Sequence, residues 1–268
     1  LLFSQKEMAG LVNYVSDKKM SCEGFDKACT VINNFKSLLW QFDIDNVNIF
    51  ATASLRNIEN SDEAVEYIKT VTGEDVEIIS GKTEAELGYY GALSDTDIKS
   101  GSILDIGGGS TEIVDFRNKI IQSAESYEIG SLNLFNGYVK ELWPNDLEEK
   151  DIKAKIKDSL SVADNNSCDI VCGIGGTNRA VLSLVNAYYK KPYGNNEITS
   201  DEFKKIKKVV LKRDDTAKKL ILKNCPDRIH TIIPGMMITD EILKKFGSSK
   251  MIISRNGVRE GYLCQKII

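Results

Sequence analysis

A glycine-rich turn near the middle of the chain has an acidic residue on each side. Asp105 precedes the turn and Glu112 follows it, and the turn itself consists of Gly107, Gly108, Gly109 and Ser110. Because glycine has no Cβ atom, the backbone N–H groups of such a turn can converge on an anion, and the hydroxyl of Ser110 adds a donor. The flanking residues read as two strands. The pattern therefore predicts a phosphate site in a strand, turn and strand unit.

The two carboxylates beside this turn suit a cation or a water molecule, because their charge repels phosphate. Asp105 and Glu112 could hold a hard cation such as Mg²⁺, or an attacking water, next to a bound phosphate. The turn is not a dinucleotide fingerprint, since Glu112 stands where the third glycine belongs, and no Gly-Lys-Ser/Thr follows to make a P-loop. The alternative is a plain hairpin, although tight hairpins need glycine only at particular positions.

A second glycine turn follows the apolar segment 168–172. It runs from Gly173 to Thr177, and the residues after it have helical spacing, with an apolar face of Val181, Leu184, Val185 and Tyr188. We expect Thr177 to cap this helix, so that free N–H groups and the positive end of the helix dipole face an anion. Close packing of a strand on a helix is the alternative. Two such turns in one chain make a phosphate site the more specific interpretation.

The elements around these turns alternate between strands and helices. Apolar spacing predicts a helix over 25–39, a strand over 47–53, a helix over 62–71 and a strand over 76–79. Asn60 or Ser61 is expected to cap the second helix. This alternation is typical of an α/β domain with helices packed on a mixed sheet.

Five segments resemble, in order along the chain, those of the exopolyphosphatase / guanosine pentaphosphate phosphohydrolase (Ppx/GppA) family of the actin-like ATPase superfamily. They are residues 51–60, 77–85, 105–112, 173–177 and 254–261. The resemblance covers nearly the whole chain. It implies an α/β fold of two ribonuclease-H-like domains with the site in the cleft between them. We expect the first domain to span 1–101 and the second 102–268, with the C-terminal helix packing back on the first.

The resemblance also implies a role for each residue that matches a family motif. Glu84 matches the general base for the water that attacks the terminal phosphorus. Asp105 and Glu112 match the acidic residues that position the water and the metal, with Mg²⁺ as the expected cofactor. Arg56 matches the arginine that clamps the phosphate being removed, a task suited to a planar fork. The backbone cradles are the two turns, formed by Gly107, Gly108, Gly109 and Ser110 and by Gly175, Gly176 and Thr177.

One departure from the family pattern lies next to the expected base. Residues 83–86 read Thr-Glu-Ala-Glu, where the family commonly has Glu-Glu-Ala-Arg. Thr83 and Glu86 fit a capping box, so we expect a helix that starts after Gly81 with Thr83 as its cap. Glu84 would then lie in the first turn, where the helix dipole favours the ionised carboxylate. Glu86 puts a negative charge in place of the usual arginine, which bears on substrate affinity more than on chemistry.

A second departure is at the start of the chain. Family members open with a strand, an Asp-x-Gly-Ser-Asn turn and a second strand, whereas this sequence begins Leu-Leu-Phe-Ser-Gln-Lys. Two strands and a turn amount to roughly 15 to 25 residues. We therefore expect the first domain to lack its N-terminal hairpin and the sequence to be a truncated form of the native chain.

Composition fits a cytoplasmic enzyme. The chain has 268 residues, of which 42% are hydrophobic, enough for a large core and two domains. No apolar run is long enough to span a bilayer and no signal peptide is evident, so no membrane partner is expected. The six cysteines lack paired metal spacing and His230 is the sole histidine. Structural zinc is therefore not expected, and Cys168 and Cys172 should be buried free thiols.

The net charge of −4 is unfavourable for a polyanion, but one segment is strongly basic. Residues 201–223 contain nine basic and four acidic side chains. Phe203, Ile206 and Val210 would form a buried stripe and leave a lysine-rich face. That face is either an ordinary solvated surface or a polyphosphate track formed by Lys204, Lys205, Lys207, Lys208 and Lys212. Nucleic-acid binding is not expected, because the chain lacks a strongly basic balance and an aromatic-interleaved patch.

Together these observations predict a hydrolase that releases terminal orthophosphate from inorganic polyphosphate. A homodimer is the expected assembly. Removal of the γ-phosphate of pppGpp in the same cleft is the alternative reaction. A non-catalytic alarmone or phosphate sensor is the alternative from another class. An ATPase of the sugar-kinase or actin type ranks lower, and ATP turnover would be its sign.

Overall fold

The computed structural model describes residues 3–7, 9–163 and 167–267. Contacts divide the chain into two compact units, Leu1–Ser80 and Gly81–Ile268. The units divide at this point because the helix that begins at Gly81 packs on strands of the second unit. Compact units and domains are different divisions of a chain, so the domain boundary predicted between residues 101 and 102 stays a prediction.

The first unit combines short strands with helices. A 3-10 turn, Leu11–Tyr14, precedes β1 (Val15–Ser16), β2 (Lys19–Met20), α1 (Cys22–Trp40), β3 (Ile49–Ala51), α2 (Ala53–Arg56), α3 (Ser61–Thr72) and β4 (Val76–Ile78). Strands β1 and β2 pair antiparallel, and β3 pairs parallel with β4. The predicted helices and strands are present, but the strand expected over 47–53 is limited to β3.

Amphipathic helices form the core of the first unit. The buried residues of α1 and α3 that meet in this core include Phe25, Ala28, Ala64 and Ile68. Asn60 precedes α3, as predicted, but its side chain does not cap the helix. It accepts a hydrogen bond from the Met20 N–H at 2.9 Å and donates to the Met20 carbonyl at 3.0 Å. Asn60 therefore ties α3 to β2.

The second unit is a longer alternation of strands and helices. Its first half contains α4 (Gly81–Leu93), β5 (Gly101–Ile106), β6 (Thr111–Arg117), β7 (Ile120–Tyr127), α5 (Ser131–Tyr138), α6 (Asp146–Ser159), β8 (Ile170–Ile174) and α7 (Gly175–Tyr189). Its second half contains β9 (Glu197–Thr199), α8 (Ser200–Val210), α9 (Asp215–Asn224), a 3-10 turn (Pro226–Arg228), α10 (Ile232–Phe246), β10 (Lys250–Ile253), α11 (Val258–Tyr262) and a π-helical turn (Leu263–Ile267).

Six strands of this unit form one mixed sheet in the order β7-β6-β5-β8-β10-β9. Strands β5, β8 and β10 run parallel, and the other neighbours pair antiparallel. Side chains alternate between the two faces of a strand. One face packs on α5 to α10 through residues such as Leu104 and Ile106, whereas Ile103 and Val114 face α4. Asp105 and Glu112 share the α4 face by the same alternation.

The helices α4 and α11 pack together at very short range. Glycine at 91 and 261 permits this, because a Cβ atom at Gly261 would overlap the carbonyl oxygen of Leu87, and one at Gly91 would overlap that of Gly257. The backbone of α11 thus lies directly on the backbone of α4. This contact fixes the position of α4, the helix that carries Glu84.

The basic segment 201–223 forms two helices, α8 and α9, separated by a turn. Asp214 caps α9 by accepting a hydrogen bond from the N–H of Ala217. The predicted stripe of Phe203, Ile206 and Val210 is buried.

All six cysteines, which lie in the described part of the chain, are free thiols. Burial raises the pKa of Cys172 to about 12. Cys168 is partly exposed and precedes β8. In the part of the chain that the structure describes, no helix has both the length and the apolar character needed to cross a bilayer.

We expect Gly261→Ala to lower the free energy of unfolding by about 1–3 kcal/mol or more, because a methyl group must displace backbone atoms of α4. Gly137→Ala is the matched control. Gly137 lies in α5 with open space around its Cβ position, so alanine should be neutral or stabilising by up to about 1 kcal/mol. Urea unfolding measures both changes, and equal midpoints for the two variants would contradict the packing described for α4 and α11.

Candidate active site

Three carboxylates come together where β5 and β6 meet the glycine turn. Asp105 and Glu112 are direct partners in the antiparallel register of the two strands, so their side chains are neighbours on one face. Glu84 lies in the first turn of α4, as predicted, and its side chain is buried. Its charge acts on both of the other carboxylates. The structure therefore brings together all three acidic residues that the sequence singled out.

Glu112 lies deepest in this acidic cluster, which consists of Glu84, Asp105 and Glu112, and only 3% of its surface is exposed. Ser126 is the residue of β7 that pairs with Glu112 in the register of the sheet. Its hydroxyl donates a hydrogen bond to Glu112 Oε1 at 2.7 Å. The Ser110 hydroxyl also hydrogen-bonds this carboxylate. Ser110 was predicted to contact phosphate, and that role stays a prediction. In the structure its hydroxyl orients Glu112.

Burial and mutual repulsion make Asp105 and Glu112 hard to ionise. The pKa of Glu112 is raised to about 8, chiefly by desolvation and then by the charges of Glu84 and Asp105, although two serine hydroxyls oppose the shift. The pKa of Asp105 is raised to about 6, again by desolvation first and by the charge of Glu84 second. A proton or a cation is needed to relieve the repulsion.

The first glycine turn is anchored through its carbonyl groups. The N–H of Gly107 donates to the Ser110 carbonyl at 2.9 Å and closes the turn, and the N–H groups at the start of α5 bind the carbonyls of Gly107 and Gly108 at 2.9–3.0 Å. In a trans peptide the C=O and the following N–H point in opposite directions. The amides of Gly108 and Gly109 therefore point away from α5, and in the described chain they donate to no protein atom.

The second glycine turn contacts the acidic cluster directly. Gly175 has a positive φ of 76°. A Cβ atom there would overlap the carboxylate of Asp105, so only glycine allows α7 to begin this close to the acid. Within the described residues no side chain caps α7. Its first amides and the positive end of its dipole form the second predicted cradle, which suits an anion.

The prediction that Thr177 caps this helix is wrong, because α7 begins at Gly175. Thr177 is buried inside the first turn, and its hydroxyl donates to the Ile106 carbonyl at 2.9 Å. It thereby ties the start of α7 to the end of β5. The prediction that Thr83 caps α4 is also wrong, since that helix begins at Gly81. Instead, Glu86 Oε1 lies 4.0 Å from Lys82 Nζ on the surface of α4.

Two arginines that sequence reasoning missed lie beside the second turn. Arg228 follows α9 and packs so closely on Gly176 that a Cβ atom there would overlap its guanidinium. Its Nη1 also lies 3.5 Å from Thr177 Oγ1. Arg179 is the fifth residue of α7, and its charge, together with that of Arg228, opposes the rise in the pKa of Asp105. Arg228 lies about fifty residues from the turn in an unremarkable segment, so only the fold could reveal it.

The remaining predicted site residues are Arg56 and the lysines of the predicted track. Arg56 ends α2 in the first unit, where its Nη1 donates to the Ile79 carbonyl at 3.2 Å, and its role as a clamp stays a prediction. Of the predicted lysine track, Lys204, Lys205, Lys208 and Lys212 are exposed. Lys207 differs from them, because it pairs with the buried Asp240 at 2.6 Å.

A family model and individual relatives both match this chain over most of its length. The model of the Ppx/GppA phosphatase family matches residues 1–267. A bifunctional 3-dehydroquinate synthase/phosphatase of Fusobacterium nucleatum is 28% identical over 253 residues, which cover 90% of this chain and 38% of that protein. A guanosine-5'-triphosphate,3'-diphosphate pyrophosphatase of Pseudoalteromonas translucida is 25% identical, with coverage of 92% of this chain and 50% of that one. The chain thus spans half or less of the length of these two relatives.

A solved structure establishes the likeness of fold. The crystal structure of an exopolyphosphatase from Cytophaga hutchinsonii matches with a TM-score of 0.81 at 18% identity, covering 92% of this chain and 83% of that one. The mixed α/β fold class predicted from the sequence is confirmed. The two-domain arrangement within it stays a prediction.

The raised pKa of Glu112 predicts how stability depends on pH when no divalent cation is present. A carboxylate whose pKa is raised in the folded state stabilises the protein below its ordinary pKa of 4.5, and that stability is lost as the pH rises towards about 8. Glu112→Gln should remove this loss. Between pH 5 and pH 8 in EDTA, the free energy of unfolding should fall by at least about 1 kcal/mol more in the wild type than in the variant.

Urea unfolding at the two pH values measures this difference. Glu125→Gln is the matched control, because Glu125 is exposed on the neighbouring strand β7 and should leave the wild-type dependence unchanged. If the free energy of unfolding depends on pH in the same way in the wild type and in Glu112→Gln, the raised pKa does not belong to Glu112.

Proposed function

Because the chain belongs to the Ppx/GppA phosphatase family, we propose that it is a hydrolase that releases terminal orthophosphate from inorganic polyphosphate. The proposal rests on one observation. The acidic cluster lies at the junction of two glycine turns, and the backbone N–H groups of these turns are available to a ligand. Three carboxylates alone would repel a phosphate chain. With backbone N–H groups, a helix N-terminus and Arg228 beside them, the same place can hold phosphate next to an activated water.

In the proposed reaction the terminal phosphoryl group lies against the amides of the two turns. Glu84 accepts a proton from the attacking water, a bond forms between the water oxygen and the terminal phosphorus, and the bond to the bridging oxygen breaks. The shortened chain departs with the bridging oxygen. Little covalent chemistry is asked of the protein, so positioning and charge neutralisation supply most of the rate.

Mg²⁺ fits the donor set at this site. In the described residues no group of three or more histidine, cysteine, aspartate or glutamate side chains is arranged to hold a metal. However, Mg²⁺ in phosphate chemistry commonly takes only one or two carboxylates and completes its shell with phosphate oxygens and water. Asp105 and Glu112 would supply those carboxylates, and the ion would neutralise charge on the phosphate chain. Its charge would also favour the ionised form of both residues.

Removal of the γ-phosphate of pppGpp is a second candidate reaction. The name of the Pseudoalteromonas relative favours it, and the exopolyphosphatase name of the Cytophaga structure favours polyphosphate. Both substrates present a terminal phosphoanhydride, so the same acidic cluster serves either reaction. A non-catalytic sensor would also bind these anions, but it would gain nothing from a buried carboxylate next to the site of attack.

Glu84→Gln tests the proposed function. The amide keeps the shape of the side chain but cannot accept a proton, so we expect kcat for polyphosphate to fall by about 10²- to 10⁴-fold with little change in KM. Glu86→Gln, two residues away on the same helix, is the matched control and should retain kcat. Wild-type turnover by Glu84→Gln would remove Glu84 from the role of base.

The lysine track is tested by replacing Lys204, Lys205, Lys208 and Lys212 with glutamine. Lys207 is kept because its ion pair with Asp240 is structural. If the exposed lysines contact the distant part of a long chain, KM for long polyphosphate should rise steeply at low salt and less at high salt, since salt screens such contacts. KM for pppGpp should barely change. Equal effects on both substrates, or none, would make α8 an ordinary solvated helix.

A further inference from the structure

Asn178 is a fully buried polar residue next to the strand that carries Asp105. It is the fourth residue of α7 and follows Ile174, the last residue of β8, by four positions. Its side-chain Nδ2 donates to the carbonyl of Leu104 and to the carbonyl of Ile174, each at 2.8 Å. Leu104 belongs to β5, so one amide group joins α7 to the ends of two neighbouring strands.

These hydrogen bonds lie where the pairing of the two strands ends. The parallel register of β5 with β8 closes at the pair Asp105 and Ile174, and the chain then turns into α7 at Gly175. Leu104 contributes the carbonyl of the peptide bond that leads into Asp105. Holding this carbonyl therefore fixes one of the two peptide planes from which the Asp105 side chain projects.

The surrounding fold accommodates the Asn178 side chain in one orientation. A Cβ atom at Gly173 would lie 2.9 Å from the Cβ and Cγ atoms of Asn178, so glycine at 173 makes room for it. A reversed amide would place Oδ1 against two carbonyl oxygens, which also only accept hydrogen bonds. In the observed orientation Oδ1 accepts no hydrogen bond from any residue that the structure describes. Of the two polar atoms of this side chain, only the donor is used within the described chain.

The Asp105 carboxylate and the start of α7 are in direct contact. A Cβ atom at Gly175 would overlap Asp105 Oδ1. Asn178 and Thr177 tie this end of α7 to β5 through the carbonyls of the residues before and after Asp105. A change in the spacing between the carboxylate and α7 would therefore stretch at least one of these two hydrogen bonds.

We propose that Asn178 is a positioning residue, whose bond to the Leu104 carbonyl sets the spacing between the Asp105 carboxylate and the amides at the start of α7. This role rests on the proposed function, which assigns the carboxylate to a cation and the amides to phosphate. Because Asn178 is fully buried, it acts through Asp105 and not by contact with a ligand. A displacement of about 1 Å in a site of this kind costs about a hundredfold in rate.

Binding of Mn²⁺ to the substrate-free chain, followed by the electron paramagnetic resonance signal of the free ion, tests this role without turnover. Mn²⁺ suits carboxylate oxygens, as Mg²⁺ does. Asn178→Ala removes both hydrogen bonds and should weaken Mn²⁺ binding by about tenfold. It should also lower kcat for polyphosphate by about tenfold or more, with a smaller change in KM.

Asn178→Ser separates the two hydrogen bonds. A serine hydroxyl inside a helix bonds the carbonyl four residues earlier, so this variant should keep the bond to Ile174 and lose the longer reach to Leu104. We expect it to unfold at a higher urea concentration than Asn178→Ala but to bind Mn²⁺ as weakly. It carries the test if the alanine variant fails to fold.

Ser248→Ala is the matched control. It removes another bond from a buried side chain to a carbonyl, that of Cys168, near the opposite end of β8. It should lower stability and leave Mn²⁺ binding unchanged. Wild-type Mn²⁺ affinity in Asn178→Ser, an equal loss of affinity in Ser248→Ala, or failure of the wild type to bind Mn²⁺ would overturn the role of Asn178. If the variants behave as expected while the wild type releases no orthophosphate from polyphosphate or pppGpp, the positioning role stands and the hydrolase function fails.

Discussion

The cross-strand pairing of Asp105 with Glu112 is the constraint on which the rest of the site depends. It places two carboxylates side by side on a covered face of the sheet, and Glu84 adds a third. Like charges in such a position are costly unless a proton or a cation neutralises them. The raised pKa values of Asp105 and Glu112 express that cost. Buried like charges lower the stability of the fold, and such groups are typical of functional sites.

The surrounding elements keep this unfavourable arrangement in place. Helix α4 holds Glu84 over the sheet because α11 packs directly on its backbone at Gly91 and Gly261. Helix α5 binds the carbonyls of the first turn, and Thr177 ties α7 to the end of β5. Each contact fixes backbone, so the amides of both turns are aimed before a ligand arrives. Preorganised dipoles of this kind are the largest contribution that a protein makes to phosphoryl transfer.

Sequence reasoning found the parts of the site that depend on local pattern. Both glycine turns, the flanking carboxylates and the placement of Glu84 in a first helical turn could be predicted, because strand alternation and helix spacing are local properties. The caps at Thr83 and Thr177 were wrong, because both helices begin at a glycine and both threonines lie inside the first turn. Arg228 was missed, since its approach to Gly176 arises only when α9 packs on α7. Long-range packing leaves no mark at such a position in the sequence.

We propose that the acidic cluster and its two cradles hydrolyse a terminal phosphoanhydride. Orthophosphate release by the purified chain, measured in parallel with long polyphosphate, pppGpp and ATP, with Mg²⁺ or with EDTA, tests it most directly. We expect release of orthophosphate from polyphosphate or pppGpp that depends on the divalent cation, and little release from ATP. Release from neither substrate, or turnover of ATP alone, would contradict it.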